Sequence, residues 1–102
     1  DMNLTDGIIR ARYRNSPEEQ EFMIPGDVYE FVIEPFPTGN VFKKGHRIRI
    51  DISSSNFPRF DVNPNTGEAL GKHRRMIVAD NSIYHDAAHP SHVVLPIVPA
   101  RR

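Results

Sequence analysis

Nine prolines spread over 102 residues constrain this chain more than any other feature. Each proline lacks a backbone N–H and holds φ near −65°, so each one ends or excludes a helix. They stand at positions 17, 25, 35, 37, 58, 64, 90, 96 and 99, which leaves room for no long helix. Residues 16–21, Ser-Pro-Glu-Glu-Gln-Glu, allow one helical turn at most.

Between the prolines the apolar residues recur at every second position. In residues 8–14, Ile9, Ala11 and Tyr13 alternate with Arg10, Arg12 and Arg14. In residues 47–52, Ile48, Ile50 and Ile52 alternate with Arg47, Arg49 and Asp51. Successive side chains of a strand point to opposite faces, so the pattern describes a sheet with one dry and one wet side. Residues 28–34 repeat it with Tyr29, Phe31 and Ile33 on the dry face. Residues 76–84, broken near Asp80-Asn81, and residues 93–98 complete the set, and Pro96 places the last at an edge or bulge. The expected fold class is all-β, a jelly-roll-like β-sandwich. A jelly roll takes about eight strands, so the sandwich is expected to be incomplete. On the wet face, Glu30, Glu34 and Asp51 are expected to pair with the arginines across strands. Residues 56–75 form a long loop, a length that usually carries function or is held by a partner.

Lys plus Arg and Asp plus Glu number 13 each, a balance that calls for neither nucleic acid nor a cationic partner. Cysteine is absent, so neither disulfides nor a thiolate nucleophile enter; either cytoplasm or secretion accommodates this, with cytoplasm preferred. No apolar run approaches the ~20 residues that span a bilayer, so no membrane partner is expected. The opening Asp1-Met2-Asn3-Leu4 has neither a basic nor an apolar leader region. The reading is of a piece of a longer protein.

Four groups of residues bear on chemistry. Ser53, Ser54 and Ser55 follow a predicted strand, but no Gly-x-Ser-x-Gly elbow surrounds them, so hydroxyl-to-backbone bonding at a strand end is expected. Asp61-Val62-Asn63-Pro64-Asn65-Thr66-Gly67 imitates the start of a calcium loop. Thr66 and Lys72 stand where that loop needs glycine and glutamate, which favours a run of Asx turns instead. His85, His89 and His92 with Asp86 diverge around Pro90, so solvated histidines in a turn are expected rather than zinc ligands. Catalytic, metal and cofactor sites are therefore all expected to be none. The remaining group is Asn56, Phe57, Pro58, Arg59 and Phe60. Two aromatics in a polar loop must be covered somewhere, so this loop is the candidate domain-docking surface or cleft wall.

Several stretches resemble the C-terminal domain of the cocaine esterase and X-prolyl dipeptidyl aminopeptidase (CocE/NonD) family of serine hydrolases. They are residues 4–14 (Leu-Thr-Asp-Gly-Ile-Ile-Arg-Ala-Arg-Tyr-Arg), residues 45–60 with their Ser-Ser-Asn-Phe-Pro-Arg-Phe run, Asn63-Pro64-Asn65-Thr66-Gly67, residues 81–86 and residues 89–99. The resemblance covers nearly the whole chain in order. It implies a galactose-binding-like jelly roll that follows an α/β-hydrolase domain with a Ser-His-Asp triad and a helical cap. Members cleave esters, amides or X-prolyl peptides. The triad lies upstream of the matched region, so no catalytic residue carries over.

Two functions follow as expectations. In the first, residues 1–102 are a non-catalytic C-terminal β-sandwich fragment that supports an upstream catalytic domain and walls its cleft. The apolar faces left open would be covered by that domain, by a second copy of the chain, or by complementing strands. The alternative is a free-standing ligand- or carbohydrate-binding sandwich, against which the absence of Trp counts.

Overall fold

Arg14 decides the path of the chain's first thirty residues. A computed structural model of the chain describes residues 2–99. In it the Arg14 side chain is only 2% exposed. Its guanidinium donates to the Ala11 carbonyl at 2.9 Å and the Glu21 carbonyl at 2.6 Å, pairs with Glu21 Oε1 at 3.2 Å, and lies 4.6 Å from the centre of the Tyr29 ring. Each bond to a charged donor is worth about 1.5–3 kcal/mol net when shielded from water.

These contacts wind residues 10–14 instead of extending them. Ala11–Tyr13 form a short 3-10 helix. Tyr13 N–H reaches Arg10 O at 2.9 Å, and Arg14 N–H reaches Ala11 O at 3.3 Å. The chain then turns at Ser16, whose hydroxyl oxygen accepts the N–H groups of Glu18 and Glu19, both at 3.2 Å. This is a bend rather than a helical turn. The return leg is tied by Glu21 N–H to Arg12 O at 2.8 Å, by Gln20 Nε2 to the Tyr13 hydroxyl at 3.1 Å, and by Asn15 Nδ2 to Glu21 Oε2 at 2.7 Å. A second turn closes where Asp27 N–H meets Ile24 O at 3.1 Å around Gly26, whose φ of 91° suits glycine. Tyr29 comes back to accept the Ile24 N–H on its hydroxyl at 2.9 Å.

The chain divides into two units, Asp1–Val62 and Asn63–Arg102. Further along the first unit, Phe36 N–H donates to Asp6 O at 2.9 Å, and the Thr5 hydroxyl donates to Phe36 O at 2.5 Å. Gly7 permits the approach, because a Cβ there would lie 3.1 Å from both Ile33 Cγ2 and Pro35 Cα. In the second unit, Asn65 stands at φ 60°, its N–H on Asn63 Oδ1 at 3.0 Å and its Nδ2 on Ile77 O at 2.8 Å. Ile77 N–H meets Pro64 O at 2.9 Å. Residues 84–92 form a closed turn with an isolated antiparallel bridge between His85 and Pro90.

The expected all-β jelly-roll-like sandwich is not what the structure contains. Among the described residues there is no sheet; the only regular elements are that 3-10 helix and that single bridge. The physical reason is the lack of ladders. A strand exists only when a neighbour pairs with successive N–H and C=O groups, and the long-range backbone bonds found here are single links. In residues 8–14 the local demand of Arg14 overrides the alternation. No described residue is buried as a whole, and no core forms among them. Of the expected dry face, Ile9, Ala11, Tyr13 and Tyr29 are half-buried, while Phe31, Ile33, Ile48, Ile50 and Ile52 are exposed. Of the charged residues expected on the wet face, Arg49 pairs with Asp51 on its own segment at 2.9 Å, and Arg14 pairs with Glu21.

Replacing Arg14 tests its role. In Arg14→Ala, amide exchange at Glu21 is expected to accelerate roughly tenfold, equivalent to about 1.4 kcal/mol. Arg14→Lys should recover little, because an ammonium has no planar fork to reach two carbonyls and a carboxylate together. Unchanged Glu21 protection in both variants would show that the turn forms without the guanidinium.

Candidate functional site

The candidate docking loop is built by a short turn. Phe60 N–H donates to Asn56 O at 3.2 Å, which folds Phe57, Pro58 and Arg59 into a projecting corner. Within it the two phenylalanines diverge. Phe57 is 70% exposed, the most exposed of the chain's six phenylalanines, whereas Phe60 is half-buried.

Arg59 anchors the corner. Its guanidinium carbon lies 5.5 Å from the centre of the Phe60 ring and 5.7 Å from that of Phe36. Its Nη2 is 3.2 Å from Asp6 Oδ1. The Arg59 side chain is 56% exposed, so the ion pair contributes at most about 1 kcal/mol, and each ring contact adds about 0.5–1 kcal/mol. Leu4, Thr5, Phe36, Pro37 and Arg59 line a depression of about 310 Å³ beside the loop. Asn56, Phe57, Pro58, Arg59 and Phe60 thus share one corner, as sequence proximity requires. The partner Asp6 was missed, since nothing local to either residue signals a pairing so distant along the chain.

The other sequence candidates have local roles. Ser53 donates its hydroxyl to Ser55 O at 2.7 Å, the expected hydroxyl-to-backbone bond, though no strand precedes it. Asn63 and Asn65 form the Asx turn already described. Beside them the Thr66 hydroxyl donates to Glu68 Oε2 at 2.8 Å, and the Arg74 N–H reaches the same oxygen at 3.3 Å. The Thr66 hydroxyl, then the Arg74 N–H and the charges of Arg75 and His73, hold the Glu68 carboxyl below its usual range. In residues 84–92, His89 N–H donates to Asp86 Oδ1 at 2.7 Å, its Nδ1 lies 3.5 Å from that oxygen, and its ring packs 5.1 Å from Tyr84. The Ser91 hydroxyl donates to Tyr84 O, and His92 Nδ1 lies 2.7 Å from Pro90 O. His89 and His92 are therefore engaged separately. Among the described residues no group of three or more His, Asp or Glu side chains could hold a metal ion, and no helix is long and apolar enough to cross a membrane.

A profile of the X-Pro dipeptidyl-peptidase C-terminal non-catalytic domain matches residues 1–94. The chain belongs to that domain family. Within the X-Pro dipeptidyl-peptidase C-terminal domain family it is similar to the cocaine esterase of Rhodococcus sp. (strain MB1 Bresler), a CocE/NonD protein, with 44% identity over 97 residues. That match takes in 93% of this chain and 17% of the esterase. Putative serine esterases of Mycobacterium bovis and Mycobacterium tuberculosis are each 25% identical over 76 residues, which is 74% of this chain and 10% of theirs. The chain therefore spans less than a fifth of each of these relatives. No solved structure gives a significant match. The resemblance seen in residues 4–14 and 45–60 is one of true family membership.

The Asp86 turn carries a pH signature. The His89 N–H, and after it the charge of His89, lower the Asp86 carboxyl from its ordinary value of 3.8. A depressed carboxylate stabilises the turn above the unfolded value, and that contribution disappears as pH falls through the folded one. The His89 amide resonance is expected to shift in acid, with a midpoint below that of a free aspartate. Asp86→Asn keeps an acceptor oxygen and should lose the acid transition. A midpoint at or above the ordinary aspartate value in the unaltered chain would refute the assignment.

Proposed function

We propose that this chain is the non-catalytic C-terminal part of a CocE/NonD-type serine hydrolase, supporting a catalytic α/β-hydrolase domain of the same protein and walling its active-site cleft. The observation that carries the reading is the family match over residues 1–94, joined to relatives several times longer than this chain. The catalytic Ser-His-Asp triad belongs to that other domain. The reaction is hydrolysis of an ester or of an X-prolyl peptide or amide. The corner of Asn56, Phe57, Pro58, Arg59 and Phe60 is the contact with the catalytic domain. Its support is physical: Phe57 stands in water on a turn held by Arg59, and an apolar ring so placed gains about 25 cal/mol for each Å² covered.

Catalytic incapacity of the chain alone follows from its sequence. A nucleophile elbow and an oxyanion hole supply most of the rate of such enzymes, and no Gly-x-Ser-x-Gly occurs here. Incubated with p-nitrophenyl acetate and an X-prolyl p-nitroanilide, the purified chain is expected to release nothing above buffer. Persistent turnover that Ser53→Ala, Ser54→Ala or Ser55→Ala abolishes would overturn the reading.

The contact role is tested in the longer protein. Phe57→Ser combined with Phe60→Ser should lower its melting temperature by several degrees or reduce its activity, since losing covered aromatic surface costs about 1–3 kcal/mol. Wild-type stability and activity in the double variant would remove the loop from the interface.

A further inference from the structure

The corner holds two phenylalanines that sequence cannot distinguish, and the structure separates them. Phe57 projects into water at 70% exposure, while Phe60 is half-buried with Arg59 against its ring. Arg59 also touches Phe36 and reaches Asp6 Oδ1 at 3.2 Å. The backbone on the far side of that pair is itself fixed. Asp6 O accepts the Phe36 N–H at 2.9 Å, and Gly7 is packed so closely that a Cβ would meet Ile33 and Pro35 at 3.1 Å. Arg59 therefore ties a projecting corner to a segment that cannot readily give way.

We propose that the Asp6–Arg59 pair, with Phe36 and Phe60 on the guanidinium, is a latch that fixes which phenylalanine of the corner faces outward. Phe60 is the internal anchor, Phe57 is the residue presented, and Asp6 and Arg59 are positioning residues. The inference rests on the proposed contact role of this corner only for the identity of what Phe57 would meet. The latch itself is a property of this chain. A guanidinium suits the task because its two faces stack on rings while its edge pairs with a carboxylate. Released from Asp6, Arg59 would leave the corner free to rotate, and Phe57 could fold onto the exposed Phe36 ring.

The chain contains no tryptophan, so Phe57→Trp places a single fluorescent reporter at the corner. Acrylamide quenching of that introduced indole in the 102-residue chain measures how far the ring stands in water. In the Phe57→Trp background, Arg59→Ala and Asp6→Asn are each expected to lower quenching roughly twofold, and together no more than either alone, as for two members of one contact. The exchange Asp6→Arg with Arg59→Asp should restore it in part. Amide protection at Glu21 shows whether the unit stays folded. Should Arg59→Ala abolish that protection, the milder Asp6→Asn decides. Quenching unchanged in Asp6→Asn with Glu21 still protected overturns the latch. A failure of the contact role is distinct: in the longer protein Phe57→Ser would leave stability and activity unaltered, while the indole reporter in this chain still responded to Asp6→Asn.

Discussion

The first unit depends on a charge placed where charges are costly. The Arg14 side chain is shielded almost completely from water although the described residues form no core around it. It is tolerated there because its donors are taken by two carbonyls and a carboxylate and one face lies on Tyr29. An unpaired buried cation would cost several kcal/mol; a paired one becomes the point around which backbone is arranged. The 3-10 helix, the Ser16 bend, the Glu21 return and the Tyr29 contact all lie on its periphery. In a molecule with so little apolar burial, satisfied polar groups take on the organising role that a hydrophobic core has elsewhere.

That division explains what was legible in the residues. The Asx turn that the Asn65 N–H closes on Asn63 and the Ser53 contact concern neighbours within a few positions, and side-chain chemistry there is close to decisive. The aromatic corner was legible for the same reason, since Phe57 and Phe60 are adjacent to their own turn. The alternation in residues 47–52 was legible as a pattern but silent on pairing: it states which side chains share a face and says nothing about which backbone lies alongside. Period-two alternation makes Arg14 one of three equivalent arginines on a wet face. Its difference from Arg10 and Arg12 comes from Glu21 and Tyr29, brought near by turns that such alternation excludes. The Asp6–Arg59 pair lies beyond any local rule.

The exposed side chains carry a functional meaning alongside the family. Ile48, Ile50, Ile52, Phe57 and Val78 stand in water, whereas folded chains of this size bury most of their large aliphatic residues. Family membership concerns a non-catalytic domain, and the relatives are far longer than this chain. The proposed place beside a catalytic domain accounts for both facts, since surface of this kind is stabilised by being covered.

The contacts within each unit are mostly short in sequence: Arg14 to Glu21 spans seven positions, Ser91 to Tyr84 seven, and Asn65 to Ile77 twelve. Closing loops of that length costs little entropy and takes well under a millisecond. On a ribosome that adds a residue only every tenth of a second or so, each knot would close as soon as its last residue emerged, long before synthesis ended. The aliphatic side chains of the stretch at 47–52, Ile48, Ile50 and Ile52, stay exposed. During translation that stretch would be the segment still waiting, and the one on which a chaperone would first take hold.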